Sequence, residues 1–315
     1  MTQNKIKKVT KNQLGTGMIK TLFVLTLFAV ALCFSKEISA AAVAGIRLSA
    51  LSVIPSIFPF IILGDVLKSM SPTSSCKSVS KFFEASFGIS ATGIAAFICG
   101  NICGFPIGVG YASNLYTDDL ISKDECEHLI GLSNNPSAAF VISGVGVGLC
   151  GNFQIGIILY ISLIIATLLT GVIFKCRLKT QKVYENTRQR FDLATSIKNA
   201  AYSSISICAY IVFFSSLLSL VGLIIKNEIV ISITASLLEI GNAVNRVSKL
   251  VFLPEYIKNG LLGFCLGFSG FSVHMQARNI LHHDISMRIY YIMKATEGIL
   301  SFIISAALSA LYYSI

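Results

Sequence analysis

Apolar residues in this chain come in blocks of roughly 17–25, separated by short polar stretches. That pattern constrains the fold more than any motif does. An α-helix of that length crosses about 30 Å of hydrocarbon. Composition agrees: 54% of the 315 residues are hydrophobic and 13% are charged. Soluble domains carry about 45–50% apolar and about 25% charged residues. A soluble chain with this balance would lack the polar surface to stay in solution. The blocks therefore predict an all-α polytopic membrane protein embedded in a lipid bilayer.

The formal net charge is +10. Its distribution points to loop topology rather than to nucleic acid. Lys and Arg gather in NKIKKVTK near the start and in KCRLKTQKVYENTRQR, Lys175 to Arg190. Basic clusters of this kind mark cytoplasmic loops. No basic stretch is interleaved with aromatics, so no nucleic-acid partner is expected. Nine cysteines are scattered singly with no CxxC. Cys99 and Cys103, four apart, read as small apolar side chains rather than as a metal or redox pair.

Loop charges and block lengths order the chain. Residues 1–17 form a basic cytoplasmic N-terminus, and 18–35 a first, uncleaved transmembrane helix. Ile38 to Leu67 returns, with a kink expected at PSIFP, Pro55 to Pro59. KSMSPTSSCKSVSK is then a cytoplasmic loop. Ser86 to Gly110 is broken by CGNICGFPIG into halves too short to span, the pattern of a re-entrant hairpin. TDDLISKDECE is polar, with Ser122 placed as an N-cap and Glu125 at the capping-box position. Two crossings follow, to Phe174. The basic linker 175–198 leads to a second half, 199–315.

The two halves share a plan. Gly100-Asn101 matches Gly241-Asn242 at an offset of 141 residues, and SNNPS at Ser133 matches SGFS at Ser269 at an offset of 136. The similar offsets predict a duplication. The loop charges place the two repeats, 38–174 and 199–315, in opposite orientations. Each would hold a short re-entrant segment and a broken transmembrane helix. Inverted repeats with interrupted segments in corresponding places point to a transporter-like site near the midplane.

Several residues could form that site. Pro136 lacks an amide hydrogen and frees carbonyls near Leu132 and Ser133. Ser133, Asn134, Asn135 and Ser137 can satisfy them, as a self-stabilised kink, or can line a site for a polar solute. Asn101 offers a donor and an acceptor at the first hairpin. Glu239 is the acid of the short segment carrying EIGN, beside Asn242. It is either a proton or cation site, or a shallow residue paired with Arg246 or Lys249. His274 and Gln276 follow the Ser269–Ser272 break; His274 is either a solute ligand or a hydrogen-bonded packing residue. Glu297, three residues after Lys294, suggests an internal ion pair. His282, His283 and Asp284 resemble a metal cluster, but adjacent helical positions diverge, so no metal is expected.

Taken together, PSIFPFIILGDVL, GNICGFPIG, LSNNPSAAFV and GFSGFSVHMQ resemble the sporulation integral membrane protein family of spore-forming bacteria. That family carries the Gate, or nucleoside-recognition, domain. The resemblance covers nearly all of the chain after about residue 40. It implies a role in endospore formation and spore cortex assembly, in a mother-cell or forespore membrane. Asn101, Asn134, Pro136, Ser137, Glu239, Asn242, Ser272, His274 and Gln276 sit in the matching motifs. The expected activity is transport or conduction of a small polar solute, with no cofactor. The alternative is a scaffold for other sporulation membrane proteins, and a homo-oligomer is compatible with either. No GxxxxGK[ST], GxSxG or HExxH occurs, so neither a P-loop ATPase nor an enzyme is expected.

Overall fold

The computed structural model describes residues 18, 20–22, 24–70, 77–176, 178 and 191–314. The expected basic N-terminus 1–17, much of the linker 175–198, and residues 71–76 of the expected first loop lie outside them. The described residues are helical, with no strand among them.

The first half opens with α1 (Lys20–Cys33), which meets the next helix at 84°. Next come α2 (Ser35–Leu48) and, through a π-wound turn at Ser49–Val53, α3 (Ile54–Met70). The expected kink near Pro55 takes the form of that turn. Pro55 has no amide hydrogen for the helical ladder. The amide of Ile54 instead reaches five residues back, to the Ser49 carbonyl. After α4 (Lys77–Phe87), two short helices, α5 (Gly93–Ile102) and α6 (Ile107–Thr117), pack against each other as a hairpin. Ten residues of helix span about 15 Å, half the hydrocarbon thickness. Gly104 sits at the hairpin tip with φ +85°, a conformation that favours glycine.

A broken segment follows. α7 (Lys123–Ser133) stops at Asn134, and a π-wound helix (Phe140–Leu149) resumes beyond the proline. Ser122 caps α7 as its sequence suggests, accepting from the Glu125 amide at 3.2 Å. The Glu125 carboxylate does not close the box; it accepts from the Ser90 amide at 2.8 Å and ties the α4–α5 connection to α7. SGVGVG serves close packing, because Gly146 lies directly against the backbone of Gly156 in the next helix, α8 (Phe153–Ile173).

The second half has fewer elements. It has a long helix, α9 (Leu193–Ile224); a pair of short ones, α10 (Glu228–Leu238) and α11 (Ile240–Val247); an interrupted segment, α12 (Glu255–Phe268) and α13 (Gly270–Ile280); and a closing long helix, α14 (Arg288–Ser314). α8, α9 and α14 are each long and apolar enough to cross a membrane, and the bent run through α1 and α2 would be a fourth span.

The first amides of a helix lack helical partners, and a side chain can supply them. Asn152, Asp192, Asn227 and Glu239 each accept two backbone amides at the starts of α8, α9, α10 and α11. Thr195, through its hydroxyl and then its amide, holds the Asp192 carboxyl below its ordinary range. α12 lies tightly on α14. A Cβ on Gly260, Gly263 or Gly267 would press into Phe302, Ser305 or the Glu297 backbone. Small residues on one helix face permit this close approach.

Candidate functional site

Both interrupted segments converge on the middle of the molecule, where the sequence places its polar residues. There they divide into two groups.

The first group is a buried hydrogen-bonded hub. The carbonyl of Leu132, freed by Pro136, accepts from Asn101 Nδ2 at 3.0 Å. Asn101 Oδ1 in turn accepts from Asn135 Nδ2 at 2.9 Å. The same Asn135 amide nitrogen donates to Thr167 Oγ1 at 2.9 Å, and Asn135 Oδ1 accepts from Lys294 Nζ at 2.6 Å. Lys294 is paired with Glu297 at 2.8 Å, and both side chains are 0% exposed. Thr167 Oγ1 donates to Glu297 Oε1 at 2.5 Å. Asn135 thus joins α5, α8 and α14 at the break. The Lys294–Glu297 pair expected from spacing is present, and its partners include Asn135 and Thr167.

Asn134 starts a second arm. Its Nδ2 donates to the Tyr290 hydroxyl at 2.7 Å, and that hydroxyl lies 2.8 Å from His274 Nδ1. Nε2 of His274 and Oδ1 of Asn134 are buried without a protein partner. Rings of Phe268, Phe271, Tyr290 and Tyr291 stand edge-on to the imidazole. Ser133 bonds back to Leu129 at 2.8 Å. Ser269 holds the second break at φ 70°, its hydroxyl on the Leu266 carbonyl at 3.0 Å.

The second group lines a cavity. Phe105, Ser137 and Phe140 come from the first half; Glu239, Gly241, Ser272 and Gln276 come from the second. Val53, Ile57, Ile207 and Ile211 complete the apolar wall. The space open to the centre of a water-sized sphere is about 20 Å³. One water needs about 10–15 Å³ on this measure. Ser272 Oγ and Gln276 Oε1 are buried without a protein partner.

Glu239 does not make the shallow surface pair with Arg246 considered from sequence. It is 1% exposed. Its Oε1 accepts from the Gly241 amide at 2.8 Å, and its Oε2 accepts from the Asn242 amide at 2.6 Å and Asn242 Nδ2 at 2.9 Å. Arg246, the partner considered from sequence, lies 3.8 Å from Glu228 instead. A carboxylate at a helix start accepts its orphan amides, so the break between α10 and α11 itself provides the partners. Asn242 also donates to Ser215 Oγ at 2.7 Å. Beside it opens a larger vestibule, about 540 Å³ on the same measure, bordered by Glu228, Asn242 and Arg246 and by the apolar Leu218, Leu250 and Phe252.

The structure therefore brings Ser137, Glu239, Ser272 and Gln276 to one cavity, with Asn242 behind Glu239. Asn101, Asn134, Asn135 and His274 join the hub and its arm, and Ser133, Pro136 and Ser269 shape the breaks. Sequence reasoning missed Thr167 and Tyr290. Their signal was periodicity: Tyr290, Met293, Lys294 and Glu297 share one buried face of α14. His282, His283 and Asp284 lie in a turn, not on a helix, so their positions converge. Their donor atoms lie within 4.8 Å of one another, a set able to hold a metal ion.

No family model matches the chain, and no solved structure matches it. The chain is 22% identical over 294 residues to the sporulation integral membrane protein YlbJ of Bacillus subtilis (strain 168), covering 78% of this chain and 71% of that protein. With its apolar helices and this relative, the chain is a multi-pass bacterial membrane protein.

Proposed function

We propose that the chain acts in endospore formation, in assembly of the spore cortex, by moving a small polar solute across the mother-cell or forespore membrane as a transporter or channel. The cavity shared by the two breaks carries this reading, with Ser137 on one side and Glu239, Ser272 and Gln276 on the other. Discontinuous helices lining a midplane cavity are a device of secondary transporters. A pair of short helices, an interrupted segment and a long closing helix recur in each half, which supports an inverted pair of Gate (nucleoside-recognition) repeats. The name of the relative supports the sporulation role. No enzymatic step is assigned.

Purified protein in liposomes should pass a labelled small polar solute, and Glu239→Gln or Ser137→Ala should slow the flux about tenfold or more. Unchanged flux in both variants would remove the cavity from the pathway. The small volume of the cavity favours one other reading, a scaffold that recruits other sporulation membrane proteins. On that reading both variants leave spores intact, whereas changes to the linker 175–198 abolish them.

A further inference from the structure

The two intramembrane carboxylates of the site have unlike surroundings. Glu297 faces the ammonium of Lys294 at 2.8 Å. Among the described residues Glu239 has no such partner, and of those lining its cavity it is the only charged one. Its bonds to Gly241 and to Asn242 come from neutral donors. Those donors are neutral, so an ionised carboxylate there stays net negative until a cation or a proton balances it. A buried charge without a counter-charge is costly in a low-dielectric interior.

Coordination capacity remains. A carboxylate offers about four acceptor positions. Three on Glu239 are taken, two of them at Oε2, so Oε1 keeps one. Ser272 and Gln276, 1% and 5% exposed, line the same cavity, and Ser272 Oγ and Gln276 Oε1 have no protein partner. Size then selects among ligands. A space of about 20 Å³ admits one particle of water's size and excludes a nucleobase. One carboxylate balances one positive charge, and a divalent ion demands more oxygen ligands and more charge than this.

We infer that the cavity holds a single dehydrated monovalent cation, ligated by the Glu239 carboxylate, the Ser272 hydroxyl and the Gln276 amide oxygen. This deepens the transport reading and rests on it: the ion is the coupling ion or the cargo of that same cavity. On this inference the ion enters from the side of the vestibule beside Asn242.

The test is thermal unfolding of the full chain in detergent. Sodium, potassium or ammonium chloride is titrated against N-methylglucamine chloride at constant ionic strength. One of the three small cations should raise the midpoint saturably, and glucamine should not. Gln276→Met and Ser272→Ala remove ligand atoms that hold no partner in the fold. They should keep the glucamine midpoint but weaken the cation response about tenfold or more. Glu239→Gln should abolish the response. The inference is overturned if no monovalent cation shifts the midpoint, if Gln276→Met and Ser272→Ala respond like the parent, or if uridine stabilises the protein without a small cation. Liposome flux, measured separately, tells the two readings apart. A saturable cation response without any flux sinks transport and keeps the site; uridine flux without a cation response sinks the site and keeps transport.

Discussion

Asn135 illustrates the residue scale. Seen in sequence it is one of two asparagines before a proline. In the fold its one amide group bonds to Asn101, Thr167 and Lys294, residues on three other helices. Lys294 and Glu297 are fully buried, so neither can turn to water for a substitute partner. Removing one member of such a pair strands the other, at a cost of about 3–5 kcal/mol. Replacing both with apolar side chains of similar size costs less, because no charge is left behind. Lys294→Met should therefore lower the unfolding midpoint in detergent more than Lys294→Met combined with Glu297→Leu does. Equal or additive losses would show that the two charges are not coupled.

Elements are set by where helices stop. Two stops coincide with residues that resist helix, Pro136 after α7 and Ser269-Gly270, with two positive φ angles, after α12; the third, between α10 and α11, falls at Glu239, which is extended. The first two are legible because they depend on the backbone chemistry of a few consecutive residues. How the stops pack is not. The hairpin of α5 and α6 rests on the first break through Gly100 and Gly108, and a Cβ on either would collide with the Ser133 carbonyl. Gly110, two positions on, has only Ile280 nearby, at 3.5 Å. Gly100→Ala should destabilise the protein by about 1–3 kcal/mol, the usual cost of overpacking. Gly110→Ala should be neutral, or stabilising by up to about 1 kcal/mol through helix propensity. The two variants have the same chemistry, so thermal unfolding that fails to separate them would refute the contact.

At the scale of the whole molecule, the inverted pair makes a claim about sides. The linker 175–198 and the loop between α11 and α12 should face opposite compartments. In a cysteine-free background, Thr187→Cys should react with a membrane-impermeant maleimide only after cells are opened, and Phe252→Cys should react in intact cells. Reaction of both from the same side would overturn the inverted arrangement.

The sequence by itself determined that this is a helical membrane protein and where the segments at Pro136 and Ser269-Gly270 are interrupted. Both properties are local: a hydrophobic block is long enough to span or it is not, and Pro136 takes an amide out of the helical ladder whatever packs around it. Tertiary structure alone decided which polar residues meet. Asn134 reaches Tyr290 across 156 residues of chain, and no pattern near either residue names the other. It also decided the fate of the two acids. Glu297 has a lysine one turn away on its own helix, and the spacing of three shows it. Glu239 lies seven residues before Arg246, which pairs with Glu228 instead. Its surroundings depend on how α10, α11 and α13 enclose a space too small for bulk water, and that enclosure is a property of packing, not of the motif.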